Sequence, residues 1–403
     1  MRYMFKKNIS FLRQYLDQNK NKAVLFLYTY EAIDLDYNFK LIKFLNKYNF
    51  KSVYVNYFEN TTSKYKSELN ATGNFVFNIK KVKIKLDLLR HFINAVAYIF
   101  ILSIIIFKYY NKFSYIFIVD YQLNIIIYIL EKIFFKRGRK NIYILQEMYQ
   151  YQIKNILLRY LVIELDKKVQ KESLCILNRN ELRKAYVDKI NKSIKKKHII
   201  TVDGIEKYLD KRKNTNIKNK LDIIYAGSMR ARLPEFIAAL SKALNINGME
   251  ATIHVYGMRE MDIKSWQNII ESEERDLKGK ILLNGKRNQE EIDQILEHIH
   301  FGIVYYPKGS CASLNERLAA PSKMFTYIRN MVPIISYGSI AAERLIKVYK
   351  IGININDIDD MKLIIPQIIS EYEIYLDNLI RLKEKGLFTI DQEFRGLLPF
   401  LKI

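Results

Sequence analysis

The sequence predicts an α/β protein with two doubly wound domains, each built on a parallel sheet. Short apolar, β-branched runs recur along the chain, and each precedes a longer stretch with helical spacing. This alternation is typical of parallel strands joined by crossover helices. The series of runs breaks once and restarts, so two sheets are expected. The length of 403 residues agrees with two domains, at about 150 residues per domain.

The strand candidates fall into two groups along the chain. The first group is expected at 23–28, 52–57, 115–119, 141–145, 174–177 and 198–202. The second group is expected at 221–225, 252–256, 281–284, 302–305, 333–336 and 352–355. The stretch 204–220 between them has many lysines and few large apolar residues, which predicts a linker. The domains are therefore expected at 1–205 and 206–388, and the helix-like spacing of 389–403 predicts a segment that packs back on the first domain.

The chain is strongly basic, with 66 Lys and Arg against 42 Asp and Glu and a formal net charge of +24. Such a charge favours a nucleic acid, an anionic membrane surface or a phosphate-bearing substrate. Heavy use of Lys, Ile, Asn and Tyr, as codon bias in an AT-rich genome produces, explains it equally well. The lysines are spread over both halves and no nucleic-acid-binding module appears, so we expect no nucleic acid partner.

The two cysteines and residues 1–22 indicate the cellular compartment of the protein. Cys175 and Cys311 are far apart in sequence, and neither has a second Cys or a His at metal-ligand spacing. Neither a disulfide framework nor a zinc site is expected, which fits a reducing cytoplasm. Residues 1–22 alternate charged and apolar side chains and so do not resemble an export signal. We expect a cytoplasmic protein.

One uncharged segment, 92–107, lies between Arg90 and Lys108. It is shorter than the roughly 20 apolar residues that a membrane-spanning helix needs. One interpretation is a crossover helix buried on the first sheet. The other is a helix that exposes part of its apolar face at the inner face of the plasma membrane, where the lysines of 80–85 would meet anionic lipid.

The densest signal for a binding site lies in 302–337. A strand is followed by a polar loop, and Pro321 then opens a helix, because proline is preorganised for the first helical turn. The free backbone N–H groups of that turn, the Ser322 hydroxyl and the helix dipole form an anion site, and Lys323 adds a positive charge. The arrangement suits a diphosphate. The alternative is an ordinary capped helix with a solvated lysine.

A second anion site is expected after the first strand of the second domain. Gly227 and Ser228 are small enough for a phosphate to approach the backbone, and Arg230 offers a planar pair of donors. Gly257 and Gly285 end the next two strands and leave room for a base or a sugar. Each of these features also has a simpler reading as a surface arginine or a turn.

Together these residues resemble the donor-binding half of the GT-B glycosyltransferases, the large bacterial group that uses nucleotide sugars (family 4, or group 1-like). The segments that carry the resemblance are AGS, VYG, LLNG, GIVYYP and PSKMF followed by VPII, over about 221–340. In the first half, 146–149 and 201–204 are similar more loosely. The resemblance implies two Rossmann-like domains facing across a cleft, a UDP- or GDP-linked sugar donor, and neither a metal ion nor another cofactor.

The resemblance also implies roles for individual residues. The diphosphate would be met by Gly227, Ser228, Arg230, Ser322 and Lys323. The base would be bordered by Gly257, Gly285 and Lys286, and the sugar by Tyr306 and Asn315. One position departs from the family, because Thr326 stands where a Glu usually binds the ribose hydroxyls. A threonine offers one hydrogen bond there instead of a bidentate contact.

Two carboxylates are candidates for catalysis on the acceptor side. Asp120 and Glu147 each end an expected strand of the first domain, which places them at the edge where ligands bind in such sheets. Either is expected to act as general base on an acceptor hydroxyl, or else to cap a nearby helix. The expected function is sugar transfer to a glycan or lipid-linked acceptor in bacterial surface polysaccharide synthesis. The alternatives are a catalytically degenerate partner protein and a sugar-nucleotide 2-epimerase.

Overall fold

The structure is a computed structural model, and its chain forms two compact units. The first is Met1–Gly204 with Glu393–Ile403, and the second is Ile205–Gln392. The described residues are 2–27, 36–56, 73–78, 87–119, 121–134, 140–145, 148–192, 194, 198–200, 204–209, 217, 220–228, 230, 232–259, 263, 266–267, 280–308, 314–318 and 322–403.

The first unit is built on a seven-stranded parallel sheet in the order β3-β2-β1-β4-β5-β6-β7. Its strands are β1 (Ala23–Leu27), β2 (Lys51–Asn56), β3 (Phe75–Asn78), β4 (Tyr115–Val119), β5 (Asn141–Leu145), β6 (Cys175–Asn178) and β7 (His198–Ile200). All strands expected in the first half are present. The edge strand β3 was not expected from the sequence.

The helices of the first unit connect these strands. They are α1 (Arg2–Gln18), α2 (Asp36–Lys47), α3 (Asp87–Tyr109), α4 (Tyr121–Phe134), α5 (Ile156–Glu172) and α6 (Glu181–Ile190). One face of the sheet packs against α1, α3 and α4 through fully buried side chains such as Leu16, Leu102 and Leu123. Near α2, the ring centroid of Phe394 lies 5.5 Å from those of Tyr37 and Phe44, so the end of the chain packs within the first unit.

The second unit is built on a six-stranded parallel sheet in the order β10-β9-β8-β11-β12-β13. Its strands are β8 (Lys220–Ala226), β9 (Glu250–Met258), β10 (Lys280–Gly285), β11 (Phe301–Tyr305), β12 (Ile334–Tyr337) and β13 (Gly352–Ile355). Its helices are α7 (Leu233–Ile246), α8 (Gln289–Leu296), α9 (Leu314–Arg317), α10 (Ser322–Arg329), α11 (Ile340–Tyr349), α12 (Met361–Ser370) and α13 (Tyr372–Glu384), and α14 (Ile390–Phe394) crosses into the first unit. Two parallel, helix-flanked sheets confirm the expected fold class.

The second unit begins at Ile205 and extends to Gln392, slightly beyond the expected 206–388. The reason is a backbone pairing between its two ends. Ile205 bridges to Thr389, and the Ile205 amide donates to the Phe388 carbonyl. The buried Tyr208 hydroxyl donates to the Leu387 carbonyl at 2.7 Å. The first part of the expected linker therefore packs in the second unit, while 210–216 lies outside the described residues.

Helix α3 contains the uncharged segment 92–107, which is buried on one side and exposed on the other. Toward the sheet it buries Tyr98, Leu102, Ile105 and Ile106. Toward solvent it exposes Val96, Phe100 and Phe107, by 51%, 65% and 62%. Across the described parts of the chain, no helix is both long and apolar enough to cross a membrane.

Candidate functional site

A cavity of about 500 Å³ lies in the second unit, at the carboxyl edge of its sheet. The ends of β8, β9, β10 and β11 and the starts of α8 and α10 border it, which is where open parallel sheets bind ligands. Most of the residues that the sequence singled out for a donor line this one cavity. They are Gly227, Ser228, Arg230, Gly257, Lys286, Tyr306, Ser322, Lys323 and Thr326.

The tips of β8 and β9 meet at two glycines, of which Gly257 leaves no space for a side chain and Gly227 is filled beside its Cα by the end of Lys323. Gly257 has a φ of +97°, and a Cβ there would lie 2.6 Å from the Gly227 carbonyl oxygen. A Cβ on Gly227 would lie 2.2 Å from Lys323 Nζ. The Gly227 amide donates to the Tyr256 carbonyl at 3.0 Å, which fixes the two tips together. Backbone therefore forms this wall of the cavity.

Tyr327 attaches helix α10 to the sheet. Its hydroxyl accepts a hydrogen bond from the Ala226 amide at 3.2 Å and donates to the Ile303 carbonyl at 3.3 Å. Its ring covers Gly302, where a Cβ would lie 2.5 Å away. Because β8 and β11 are adjacent, this contact holds the first turn of α10 at the mouth of the cavity. The unpaired N–H groups and partial positive charge of that turn favour an anion.

Lys323, in the same turn, is half-buried and lies beside an aromatic ring. Its Nζ is 4.0 Å from the centroid of the Tyr225 ring. Burial and the nearby charge of Arg230 lower the pKa of Lys323 to about 7. Burial also raises the pKa of Tyr225 to about 12, so its hydroxyl stays protonated and donates to the Ser228 carbonyl at 2.7 Å. An anionic ligand in the cavity would therefore stabilise the charged, ammonium form of Lys323.

Arg230 is held from two sides. Its Nη1 is 2.7 Å from Oε1 of Glu316 on the short helix α9, and its guanidinium lies 4.1 Å from the centroid of the Tyr306 ring. Its buried Nε has no hydrogen-bond partner among the described residues. A guanidinium fixed in this way still has N–H groups to offer a phosphate.

Further residues line the cavity without having been singled out from the sequence. They are Ala226, Tyr256, Arg287, Gln289, Ile292 and Tyr327. Tyr256 and Arg287 adjoin Gly257 and Lys286 in sequence, so their position next to expected site residues was the available signal. Gln289 opens α8 immediately after Asn288, which forms a capping box with Glu291. Among the described residues that line the cavity, none is acidic, and Thr326 is the side chain present at the expected ribose position.

Other candidates are placed elsewhere or are not described. Gly285 ends β10 beside Lys286 but is not among the lining residues. Asn315 belongs to α9, and its side chain lies outside the described residues. Asp120 directly follows β4 in sequence, and Glu147 follows β5 by two residues. Both lie outside the described residues. Their expected roles stay predictions.

The geometry suits a ligand with a compact double negative charge and a flat group. Arg230, Lys323 and the start of α10 converge on one part of the cavity, and the chain backbone at Gly227 leaves room for close approach. Tyr256 and Ile292 offer apolar surface in the same cavity. A diphosphate linked to a planar base has these properties.

Comparison with known proteins finds one family model and a group of solved structures. Residues 223–389 match the family model described as Glucosyltransferase 3-like, C-terminal domain. Among curated protein sequences, none matches the chain. Anabaena Alr3699/HepE, solved in complex with UDP and glucose, is 11% identical with a TM-score of 0.64, over 94% of this chain and 99% of that chain.

Other solved structures share the same architecture. A glycosyltransferase from Rickettsia africae is 12% identical with a TM-score of 0.65, over 95% of this chain and 98% of that chain. WaaG, a glycosyltransferase involved in lipopolysaccharide biosynthesis, is 10% identical with a TM-score of 0.60, over 94% and 99%. The chain therefore has the GT-B fold that the sequence resemblance implied, and residues 223–389 of its second unit are similar to the glucosyltransferase 3-like model.

Proposed function

We propose that the chain is a glycosyltransferase that takes a sugar from a UDP-linked donor and transfers it to a glycan or lipid-linked acceptor during surface polysaccharide synthesis. One observation carries the proposal: Arg230, Lys323 and the start of α10 converge on a cavity at the carboxyl edge of the second sheet. The fold, the match of 223–389 to a glucosyltransferase domain and the UDP and glucose in the HepE structure support it.

In this proposal the second unit binds the donor and the first unit binds the acceptor. Transfer breaks the bond between the anomeric carbon and the diphosphate oxygen, and the acceptor oxygen forms the new bond to that carbon. The leaving diphosphate gains negative charge as the bond breaks. Lys323, Arg230 and the N–H groups of the first turn of α10 stabilise that charge.

These cations replace a metal ion in the proposed mechanism, and no other cofactor is required. The expected result is a transfer rate that is unchanged by EDTA. A rate that falls with EDTA and recovers with Mg²⁺ or Mn²⁺ would contradict this part of the proposal.

Asp120 or Glu147 serves as general base in the proposed mechanism, taking the proton of the acceptor hydroxyl. Their support is their sequence position after β4 and β5, at the ligand-binding edge of the first sheet. Asp120→Asn and Glu147→Gln separate the two. Loss of transfer with retained UDP affinity identifies the base, because the donor site is in the other unit.

The two alternatives remain distinguishable by products. A 2-epimerase would convert the donor in the absence of any acceptor, whereas a degenerate partner would bind the donor and neither transfer nor hydrolyse it. The neighbouring structures named above are glycosyltransferases or carry UDP and glucose, which favours transfer. Thr326, where the family usually has Glu, is the one site residue that favours a degenerate protein.

We also propose a cytoplasmic location, with peripheral contact between 92–107 and the inner face of the plasma membrane. The two cysteines of the chain, Cys175 and Cys311, are far apart in sequence, which suits a reducing compartment. The exposed Val96, Phe100 and Phe107 of α3 supply the apolar contact. No nucleic acid partner is proposed.

The direct test is incubation of the full chain with radiolabelled UDP- and GDP-sugars and candidate glycan or lipid-linked acceptors. Transfer of label to an acceptor supports the proposal. Conversion of the donor without acceptor would indicate an epimerase. Binding of no nucleotide sugar by calorimetry would remove the proposed function altogether.

A further inference from the structure

Three neighbouring helices of the first unit present apolar side chains to solvent. Helix α4 packs against both α3 and α5, so the three form one layer. The exposed apolar residues of this layer are Val96, Phe100 and Phe107 on α3, Ile129 and Ile133 on α4, and Ile156, Leu157, Leu158, Tyr160 and Leu161 on α5. Single exposed leucines are ordinary, but five large apolar side chains exposed within the six residues 156–161 mark an interaction surface.

The start of α5, residues 156–161, is the most exposed part of this surface. Its apolar side chains are exposed by between 52% (Leu158) and 77% (Leu157), and only Arg159 interrupts them. A helix packed on a sheet buries one stripe and exposes polar residues. Here the buried residues of α5 are Asp166, Val169 and Gln170, all in its second half. The first turns of α5 therefore project from the body of the unit.

This projecting segment is an ordered helix. The Asn155 side chain caps it by accepting a hydrogen bond from the Leu158 amide at 3.0 Å. The second half is anchored by buried Asp166, which accepts from the Tyr143 hydroxyl at 2.9 Å and from Gln170 Nε2 at 2.7 Å. The second half of α5 is held rigidly and its start exposes apolar side chains. This arrangement suits insertion of the start into an apolar environment.

The charges around the segment are mainly positive. Lys154 is exposed just before it, and Arg159 is half-buried within it. The acidic side chains of α5 add little negative charge to its surface. Glu164 lies 2.6 Å from Lys167, Glu172 lies 3.3 Å from Lys132, and Asp166 is buried. Exposed Lys168 and Lys171 lie further along the helix. An apolar segment with Lys154 and Arg159 beside it, on a helix whose other exposed charges are lysines, is complementary to an anionic lipid surface.

We propose that residues 156–161 insert into the interfacial region of an anionic lipid bilayer and are the main membrane anchor of the chain, with α3 as a secondary contact. A second copy of the chain fits this surface less well, since it would bring the same basic residues against each other on a molecule of charge +24. Because α5 follows β5, its start lies at the carboxyl edge of the first sheet, where a lipid-linked acceptor would be held. The inference does not depend on the identity of the donor.

The test is sedimentation of the full chain with vesicles of phosphatidylglycerol and phosphatidylcholine in equal amounts, against phosphatidylcholine alone. The variant is Leu157→Glu with Leu161→Glu. The matched control is Val348→Glu with Leu363→Glu, which places the same charges on exposed aliphatic positions of the second unit (69% and 80%). The wild type and control are expected to bind mixed vesicles, and the α5 variant at least roughly tenfold more weakly.

Melting temperature and UDP affinity should be unchanged in the α5 variant, since both side chains are exposed and lie outside the donor unit. Equal vesicle binding by wild type and α5 variant would overturn the proposal, as would absence of binding to mixed vesicles. If the α5 variant instead dissociates a dimer of a chain that does not bind vesicles, the surface is a self-association face and the proposal is wrong. If the wild type does not bind UDP but does bind mixed vesicles, the proposed function is wrong and the membrane anchor still stands.

Discussion

Lys323 Nζ lies 4.0 Å from the centroid of the Tyr225 ring, although the two residues belong to α10 and β8. The same Nζ occupies the space beside Gly227 where a side chain would otherwise stand. The contact holds the amine at the start of α10, inside the cavity. Its pKa of about 7 makes the charge of the site depend on pH near neutrality.

UDP affinity is expected to fall as the pH rises above about 7. The diphosphate favours the charged amine, whereas the free site loses its proton near pH 7. Each pH unit above that point should weaken binding by up to roughly tenfold. Calorimetry between pH 6 and pH 9 measures this, and the Lys323→Met variant should bind more weakly with little pH dependence. A wild-type affinity that is constant over this range would contradict the assignment.

The same group predicts a stability change in the absence of ligand. The pKa of Lys323 is lowered in the folded chain from 10.5 to about 7, so the unfolded chain binds more protons between these values. The free energy of unfolding from this group therefore rises with pH from about 7 to about 10.5. Urea unfolding of wild type and Lys323→Met across this window should show a slope that the variant lacks. Identical slopes would argue against a lowered pKa of Lys323 in the folded chain.

Glu316→Gln is expected to tighten UDP binding. Glu316 compensates the charge of Arg230 through a 2.7 Å contact, and both side chains are partly exposed. Removing that negative charge leaves Arg230 more attractive to a diphosphate, by roughly two- to fivefold in Kd. Glu373→Gln, an exposed glutamate on α13, removes the same charge outside the cavity and serves as the control. Weaker binding by the Glu316 variant alone would mean that its carboxylate itself contacts the donor.

Gly257→Ala tests the close contact between the tips of β8 and β9. Both Gly257 and Gly248 have positive φ, but only at Gly257 would a Cβ meet backbone, 2.6 Å from the Gly227 oxygen. Each substitution should lower the free energy of unfolding by about 1 kcal/mol from the backbone conformation alone. Gly257→Ala should lower it further and weaken UDP binding at least roughly tenfold, since the Gly227 wall must move. If Gly248→Ala weakens UDP binding as much, the effect is not local to the cavity.

Much of the fold was predictable because its signals are local. Buried parallel strands such as β4 and β11 are continuous apolar runs, and the structure places them within a residue of the expectation. Strand β3 was not predicted from the sequence, because it is short and lies at the sheet edge. Its position depends on contacts distant in sequence, such as the Ser52 amide donating to Asn74 Oδ1 at 2.8 Å.

The candidate site was predictable where residues follow the strands expected from the sequence, as Gly227, Gly257 and Lys286 do. The pairings that set its electrostatics were not predictable, because they join distant segments. Arg230 meets Glu316 and Lys323 meets Tyr225 only when β8, α9 and α10 are assembled. The exposed start of α5 was also missed, since its sequence resembles an ordinary buried helix and its exposure depends on packing.

The most direct test of the central claim compares UDP with uridine by calorimetry on the full chain. If the cavity recognises a diphosphate through Arg230, Lys323 and the start of α10, UDP should bind at least roughly a hundredfold more tightly than uridine. That advantage should shrink in Lys323→Met and Arg230→Met, while uridine binding changes little. Equal affinities for UDP and uridine, or an advantage that both variants retain, would contradict the account.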